Sequence, residues 1–418
     1  MSKQVIFYGA GQYARENLDR WLANGLTPVC FADADESKHY KRIYDQSGKA
    51  YDILSLEVTK ALYPDYELRL TLAQRNLSVV YEWLVSQGIP PERIKCADQL
   101  TRRQGCPYLD GTFQLFSHYF WVCCYRPQAI TVHYENIADG FTDYLTTVKT
   151  LTADISAGKP TSCDGCPNLK EGFWSTEYTP KCIIFSTDFE GDGCNFNCRY
   201  CHTVQWLGNG GRPYPMKNLQ EVIRQLSEIP ALDKVNLSFA DGEVFTRRDI
   251  AEVLALVGGQ EWTVSFTTNG SIYKNEVEDL IRAGRVTAVN ISLDAGTSET
   301  FAKVKGVDCF GKVAGNLKKY AALGVPIDLK YIMLAGLNDN EHDIDSFADI
   351  AASVRAHVWV SGDQHINSER LAPRALAMVL RLIQKCSRRK NFIAIAAENF
   401  HPLDLQIIEA AVKDMQTK

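Results

Sequence analysis

Through the second half of the chain, short apolar runs alternate with longer stretches whose apolar residues recur at intervals of three and four. The runs at 183–187, 235–239, 262–268, 286–293, 327–333 and 357–360 predict strands. The stretches at 219–229, 248–257, 275–283, 311–323 and 341–352 predict amphipathic helices between them. Six strand–helix steps at this spacing predict an α/β, parallel, barrel-like sheet. Further helical patterns at 373–386 and 404–413, with an apolar run at 391–396 between them, predict elements that cover the barrel.

The beginning of the chain reads as a separate α/β unit. A strand at 5–8 runs into Gly9-Ala10-Gly11-Gln12-Tyr13-Ala14. A helical segment follows with Leu18, Trp21 and Leu22 on one face, then a strand at 28–32 closed by Asp33. A strand, a glycine-rich turn, a helix and a strand ending in an acid form the layout of a dinucleotide-type βαβ unit. Gly9 and Gly11 would let a phosphate approach a helix N-terminus, and Asp33 would accept a ribose hydroxyl. The same turn also serves structural or partner-docking roles in other domains, so both readings stand. Strands at 51–54, 67–72 and 93–97 and a helix at 79–87 complete the unit. Three regions result: 1–100, a small Rossmann-like domain; 101–180, a cysteine-rich segment; and 181–418, the barrel with its C-terminal helices.

Composition narrows the function classes. A net charge of −5 over 418 residues gives no basic surface for nucleic acid. No apolar run approaches the ~20 residues that span a bilayer, and the N-terminus lacks a signal-peptide pattern. A cytoplasmic protein is therefore expected. Its 13 cysteines are odd in number and grouped at short spacings, which favours metal or redox chemistry over a disulfide framework.

The densest group is Cys194, Cys198 and Cys201, in the stretch Cys194-Asn195-Phe196-Asn197-Cys198-Arg199-Tyr200-Cys201. Thiolates this close in sequence can converge on one compact iron–sulfur cluster, and three ligands leave one iron of a [4Fe–4S] cube open to a small molecule. Zinc would need a fourth ligand close by, and His202 follows Cys201 too directly to serve. A second group consists of Cys106, the pair Cys123-Cys124, and Cys163-Asp164-Gly165-Cys166. A cysteine, a hairpin, a cysteine and a CxxC suffice for a four-thiolate site. The proposed ligands are Cys106, Cys124, Cys163 and Cys166, with Cys123 competing for the place of Cys124. A structural zinc site and unliganded buried thiols are the alternatives.

At the 194–201 loop the chain resembles the radical SAM superfamily, including the aromatic Tyr200 before the last cysteine. The resemblance continues at the predicted strand ends. Ala240-Asp241-Gly242-Glu243 follows the second strand where the family shows Gly-Gly-Glu-Pro, with Gly242 and Glu243 retained. Thr267-Thr268-Asn269-Gly270 follows the third, Ser292-Leu293-Asp294 ends the fourth, and Leu334-Ala335-Gly336-Leu337-Asn338 follows the fifth. The resemblance implies a partial (β/α)6 barrel that binds a [4Fe–4S] cluster and S-adenosylmethionine (SAM). It implies that Gly242 and Glu243 hold the methionine ammonium, that Ser292 and Asp294 reach the ribose and carboxylate, and that Asn269, Lys330, Asn338 and Tyr200 line the cofactor. One electron, from a flavodoxin- or ferredoxin-like donor, would then cleave SAM to a 5′-deoxyadenosyl radical. The order of cysteines in 101–180 resembles a SPASM-type auxiliary-cluster domain, which in the family usually follows the barrel and here precedes it. A second [4Fe–4S] cluster is implied there.

The N-terminal region resembles Rossmann-like domains of sugar-nucleotide and polysaccharide-modifying proteins. By that analogy the expected substrate is a small polyol, a sugar or a nucleotide-linked molecule. The alternatives are a peptide maturase, a group-transfer enzyme that consumes its auxiliary cluster, and a non-catalytic metal-containing binding protein. Cys309, in a loop before a predicted helix, is either a packed thiol or a hydrogen donor to a product radical.

Overall fold

The computed structural model describes residues 4–123, 130–166, 168–186, 188–201, 215–366 and 368–416. The chain divides into two compact units, Met1–Asp110 with Thr150–Thr179, and Gly111–Lys149 with Pro180–Lys418.

In the first unit, strands counted along the chain are β1 (Gln4–Tyr8), β2 (Cys30–Ala32), β3 (Arg42–Tyr44), β4 (Ala50–Leu54), β5 (Tyr66–Leu70), β6 (Ile94–Cys96) and β7 (Leu100–Gly105). The first six form one sheet in the order β3-β4-β2-β1-β5-β6, parallel except for the β3–β4 hairpin. Successive side chains of a strand point to opposite faces. Ile6 and Tyr8 accordingly pack with Leu68, Leu70 and Leu77 on one face, and Phe7 packs with Phe31, Ile53 and Trp21 on the other. The helix Gln12–Ala23 covers the second face through Ala14, Leu18 and Trp21, at helical spacing. The helix expected at 79–87 spans Gln74–Ser86, and a helix at Leu56–Leu62, capped by Ser55, joins β4 to β5. β7 pairs antiparallel with β11 (Lys170–Ser175), from Leu100 opposite Ser175 to Gly105 opposite Lys170.

The second unit is built on a ten-stranded sheet. Its strands are β8 (Thr112–Leu115), β9 (Tyr119–Trp121), β10 (Thr131–His133), β12 (Cys182–Phe185), β13 (Asn236–Phe239), β14 (Thr263–Thr268), β15 (Val286–Ser292), β16 (Ile327–Met333), β17 (His357–Gly362) and β18 (Ile393–Ile395). They run in the order β10-β9-β8-β12-β13-β14-β15-β16-β17-β18. From β8 to β18 all neighbours are parallel. β9 and β10 form an antiparallel extension at one edge. The six expected barrel strands are β12 to β17, flanked by β8 and β18. Helices at Ile250–Gly258, Asn275–Arg282, Phe310–Ala322 and Glu341–Ser353 return the chain between successive strands. Among the described residues no helix is long and apolar enough to cross a membrane.

The order of elements places β8 beside β12 and leaves β7 and β11 in the first unit. The cysteine-rich region 101–180 thus contributes to both units.

Candidate active site: a cysteine loop at the strand ends

The loop after β12 is held by residues far away in sequence. Arg247, whose side chain is almost wholly buried, donates to Asp192 Oδ1 at 2.5 Å and to Asp249 Oδ2 at 3.0 Å. Asp192 in turn accepts the Phe189 N–H at 2.8 Å, which folds the entry to the loop. The Glu243 N–H donates to Gly193 O at 2.8 Å. Further along, Asn197 and Arg199 donate their N–H groups to Lys305 O at 3.2 Å and Val304 O at 2.9 Å. These are carbonyls at the C-terminal end of the helix Ser298–Lys305, where no intrahelical donor remains for them. The Cys201 N–H turns back onto Cys198 O at 3.1 Å.

Cys194, Cys198 and Cys201 open onto one cavity at the C-terminal ends of the parallel strands. Tyr200, Gly242, Asn269, Ser292 and Lys330 line the same cavity. This is where parallel barrels present ligand sites. Burial pushes the Cys194 thiol up, and the Cys198 thiol up to about 11. The Lys330 ammonium has no ion pair or hydrogen bond to the described residues and so stands as an open cation on the wall. Asp241, in the position of a family glycine, adds a carboxylate to the wall and accepts the Ser186 hydroxyl at 2.5 Å.

Three other expected site residues lie behind the wall. Glu243 is buried; it accepts the Thr268 hydroxyl at 2.8–2.9 Å and the Asn269 N–H at 2.6 Å. Burial pushes its carboxyl up to about 7 against the pull of these donors. Asp294, at φ 54°, has both carboxylate oxygens occupied. Oδ1 accepts the Ile332 N–H at 2.8 Å, and Oδ2 accepts Lys305 Nζ and the Tyr200 hydroxyl, both at 2.5 Å. Asn338, with no exposure, donates to Asp294 O at 2.9 Å and Ile332 O at 2.8 Å, and accepts the Leu334 N–H at 2.8 Å. These residues shape the turns that carry the cavity.

Lys305 was not foreseen. Its ammonium, 1% exposed, pairs with Asp294 and donates to Tyr200 Oη at 2.7 Å. No motif marks a lysine that ends a helix. Asn195 and Ser271 were also missed; Asn195 donates to Ser271 at 3.0 Å and accepts from Asn269 at 2.8 Å, tying the cysteine loop to the turn after β14.

The remaining expected residues lie apart. Cys309 is the partly exposed residue preceding the helix Phe310–Ala322, with its thiol pushed up chiefly by burial. In the first unit, Cys163 and Cys166 flank a tight turn in which the Cys166 N–H donates to Cys163 O at 3.0 Å and Gly165 has φ 68°. Cys106 is buried in the same unit, Cys123 belongs to the second, and Cys124 lies outside the described residues. The Gly9 turn has φ 107°, and Asp33 points into it: its carboxylate accepts the Ala10 N–H at 2.7 Å, the Asp35 N–H at 2.9 Å and Lys38 Nζ at 3.1 Å. Gly11 precedes the first helix with open space where a Cβ would stand.

Residues 191–351 match the family model described as the radical SAM superfamily. This segment belongs to the radical SAM superfamily. The match contains the cysteine loop and the turns after β13 to β16. The family implies a [4Fe–4S] cluster and SAM. Three thiols around one cavity fit the first, because a cube's ligands stand farther apart than those of a single ion.

A probable GTP 3′,8-cyclase of Pyrococcus abyssi is 32% identical over 148 residues, which are 35% of this chain and 47% of that protein. The GTP 3′,8-cyclase of Stenotrophomonas maltophilia strain R551-3 is 31% identical over 198 residues, 46% of this chain and 60% of that protein. The chain spans about half the length of the curated relatives it matches. Among solved structures, a radical SAM methyltransferase from Sphaerobacter thermophilus aligns over 76% of this chain and 92% of its own, at 15% identity and a TM-score of 0.39. The SAM-bound SuiB of Streptococcus suis aligns over 63% of this chain and 53% of its own, at 13% identity and a TM-score of 0.38.

Proposed function

We propose that the chain is a radical SAM enzyme that abstracts hydrogen from a small polyol, sugar or nucleotide-linked substrate. The observation that carries this reading is the opening of Cys194, Cys198 and Cys201 onto one cavity with Gly242, Asn269, Ser292 and Lys330. A [4Fe–4S] cluster held there supplies, when reduced, the single electron that splits the SAM sulfonium into methionine and a 5′-deoxyadenosyl radical. Asp241 and Lys330 offer the cavity one anion and one open cation, enough to orient an amino acid moiety. Asn269 and the Asn195–Ser271 bond hold the cysteine loop against the strand ends. Relatives named for a reaction of GTP favour a nucleotide among the substrate classes. The electron donor is a flavodoxin- or ferredoxin-like protein.

A second cluster belongs to the same reading. Its expected ligands are Cys106, Cys163 and Cys166 with either Cys124 or Cys123, and the tight Cys163–Cys166 turn supports it. The test is iron and sulfide content with electron paramagnetic resonance on anaerobically reconstituted protein, alongside 5′-deoxyadenosine formation under reduction with SAM. About eight irons falling to about four in the Cys194→Ala/Cys198→Ala/Cys201→Ala variant, with loss of 5′-deoxyadenosine, is the expected result. About four irons falling to none would remove the second cluster. Full iron with no 5′-deoxyadenosine would defeat the enzyme reading. Deuterium transfer into 5′-deoxyadenosine from deuterated nucleotides, and not from deuterated polyols or sugars, would fix the substrate class.

A further inference from the structure

The first unit narrows the crevice where a parallel sheet of its order ordinarily takes a ligand, and it carries a second cavity elsewhere. In such sheets the ligand crevice lies at the C-terminal strand ends where the strand order reverses, here between β1 and β5. The chain's own groups occupy part of that place. The Thr71 hydroxyl shares its one proton between Tyr8 O at 2.8 Å and Gly9 O at 2.7 Å. The Leu72 side chain lies so near that a Cβ on Gly9 would stand 2.6 Å from it. Asp33, which would meet a ribose, instead takes the Ala10 N–H.

Along β6, the edge strand of the sheet, runs a cavity of about 540 Å³ lined wholly by residues of this unit. That volume falls in the ordinary range for small-molecule sites. Its apolar wall includes Tyr81, Phe173 and Leu100, the first two rings meeting edge to face at 5.6 Å. Its cations are Arg69, Lys95 and Arg102. Arg69 is held in place. Its Nε lies 2.6 Å from Glu67 Oε1 and its Nη1 donates to Cys96 O at 3.2 Å, which leaves Nη2 without a partner among the described residues. Lys95 shares the same carboxylate at 2.6 Å, so one anion serves two cations. Arg102 lies 4.7 Å over the Tyr81 ring and pairs with Glu171. The one carboxylate that lines the cavity, Asp98, is engaged by Tyr13, Trp21 and Arg20. A fixed guanidinium edge, a surplus of positive charge and an aromatic wall suit a planar ring that carries a phosphate.

We propose that this cavity binds a nucleoside phosphate, with the phosphate at Arg69 and Arg102 and the ring against Tyr81 and Phe173. The site is separate from the SAM cavity and does not depend on the reaction proposed above. The test is equilibrium dialysis of labelled AMP against the reconstituted 418-residue protein with SAM at saturation, and the two cavity variants below separate this cavity from the substrate site proposed above. Adenosine and inorganic phosphate are dialysed in parallel. AMP should be retained at least tenfold more tightly than either. Arg69→Gln should weaken AMP at least tenfold with SAM affinity unchanged. Because Arg69→Gln also disturbs the Glu67 pair, Thr101→Trp, which fills the cavity from an exposed strand position, serves as the second variant and should abolish AMP retention. No AMP retention would overturn the proposal. Adenosine or phosphate binding as tightly as AMP, or AMP retention that survives Thr101→Trp, would do so equally.

Discussion

Gly306 and Asn197 approach so closely that a Cβ on the glycine would stand 2.7 Å from the asparagine carbonyl oxygen. Gly306 ends the helix Ser298–Lys305 at φ 72°, a region that favours glycine. The helix end and the cysteine loop are thereby joined backbone to backbone. Gly306→Ala should destabilise the fold by about 1–3 kcal/mol. It should also lower the iron retained after reconstitution. Urea unfolding and iron content of the variant check this. Unchanged values for both would show that the loop finds its place without this contact.

The Lys305–Asp294 pair is buried, at 1% and 0% side-chain exposure. Removing one partner strands the other charge. Lys305→Met should therefore cost about 3–5 kcal/mol of stability. The double variant Lys305→Met/Asp294→Asn should lose less than the sum of the two single variants. A double-mutant cycle by chemical unfolding of the metal-free protein measures this coupling.

Glu243 titrates near neutrality in the folded chain, at about 7 against an ordinary 4.5, because burial disfavours its charge. A raised carboxyl binds its proton more tightly folded than unfolded. Its contribution is complete below about pH 4.5 and is lost as pH rises through about 7, a difference of about 3 kcal/mol. The metal-free protein should thus lose urea stability between about pH 5 and about pH 8, and Glu243→Gln should flatten that slope. An equal slope in both would assign the titration elsewhere.

Asp98 accepts the Trp21 indole N–H at 2.8 Å and the Tyr13 hydroxyl at 2.7 Å in the first unit. Asp98→Ala leaves both donors without an acceptor and should cost about 2–4 kcal/mol. Asp98→Asn should recover part of that, since its amide oxygen still accepts from one of the two. Thermal unfolding followed by tryptophan fluorescence distinguishes the variants.

Several elements could be read from sequence because their signal is local. The apolar alternation of β12 to β17 and the helical spacing between them suffice for the parallel sheet. The glycine-rich turn after β1 is equally plain. The β7–β11 pair could not be read: its strands, LTRRQG and KEGFWS, lie about seventy residues apart and are largely polar. Only their pairing makes them strands. The helix Ile137–Ser156 was not expected, although buried Ile137, Phe141, Tyr144 and Val148 fall at helical spacing. Gly140 and five threonines weaken its intrinsic preference.

The amino-acid sequence alone determined the cysteine loop and the strand ends that face it, because ligand spacing and strand alternation are properties of a few adjacent residues. It did not determine which polar groups at those strand ends face the cavity. Alternation predicts Ser292 and Asp294 on the same face where β15 ends, yet Ser292 lines the cavity and Asp294 turns inward to Lys305, Tyr200 and Ile332. A buried carboxylate goes where its charge is met, and the groups that meet it come from the cysteine loop, a later helix and the next strand. Their convergence exists only in the folded chain.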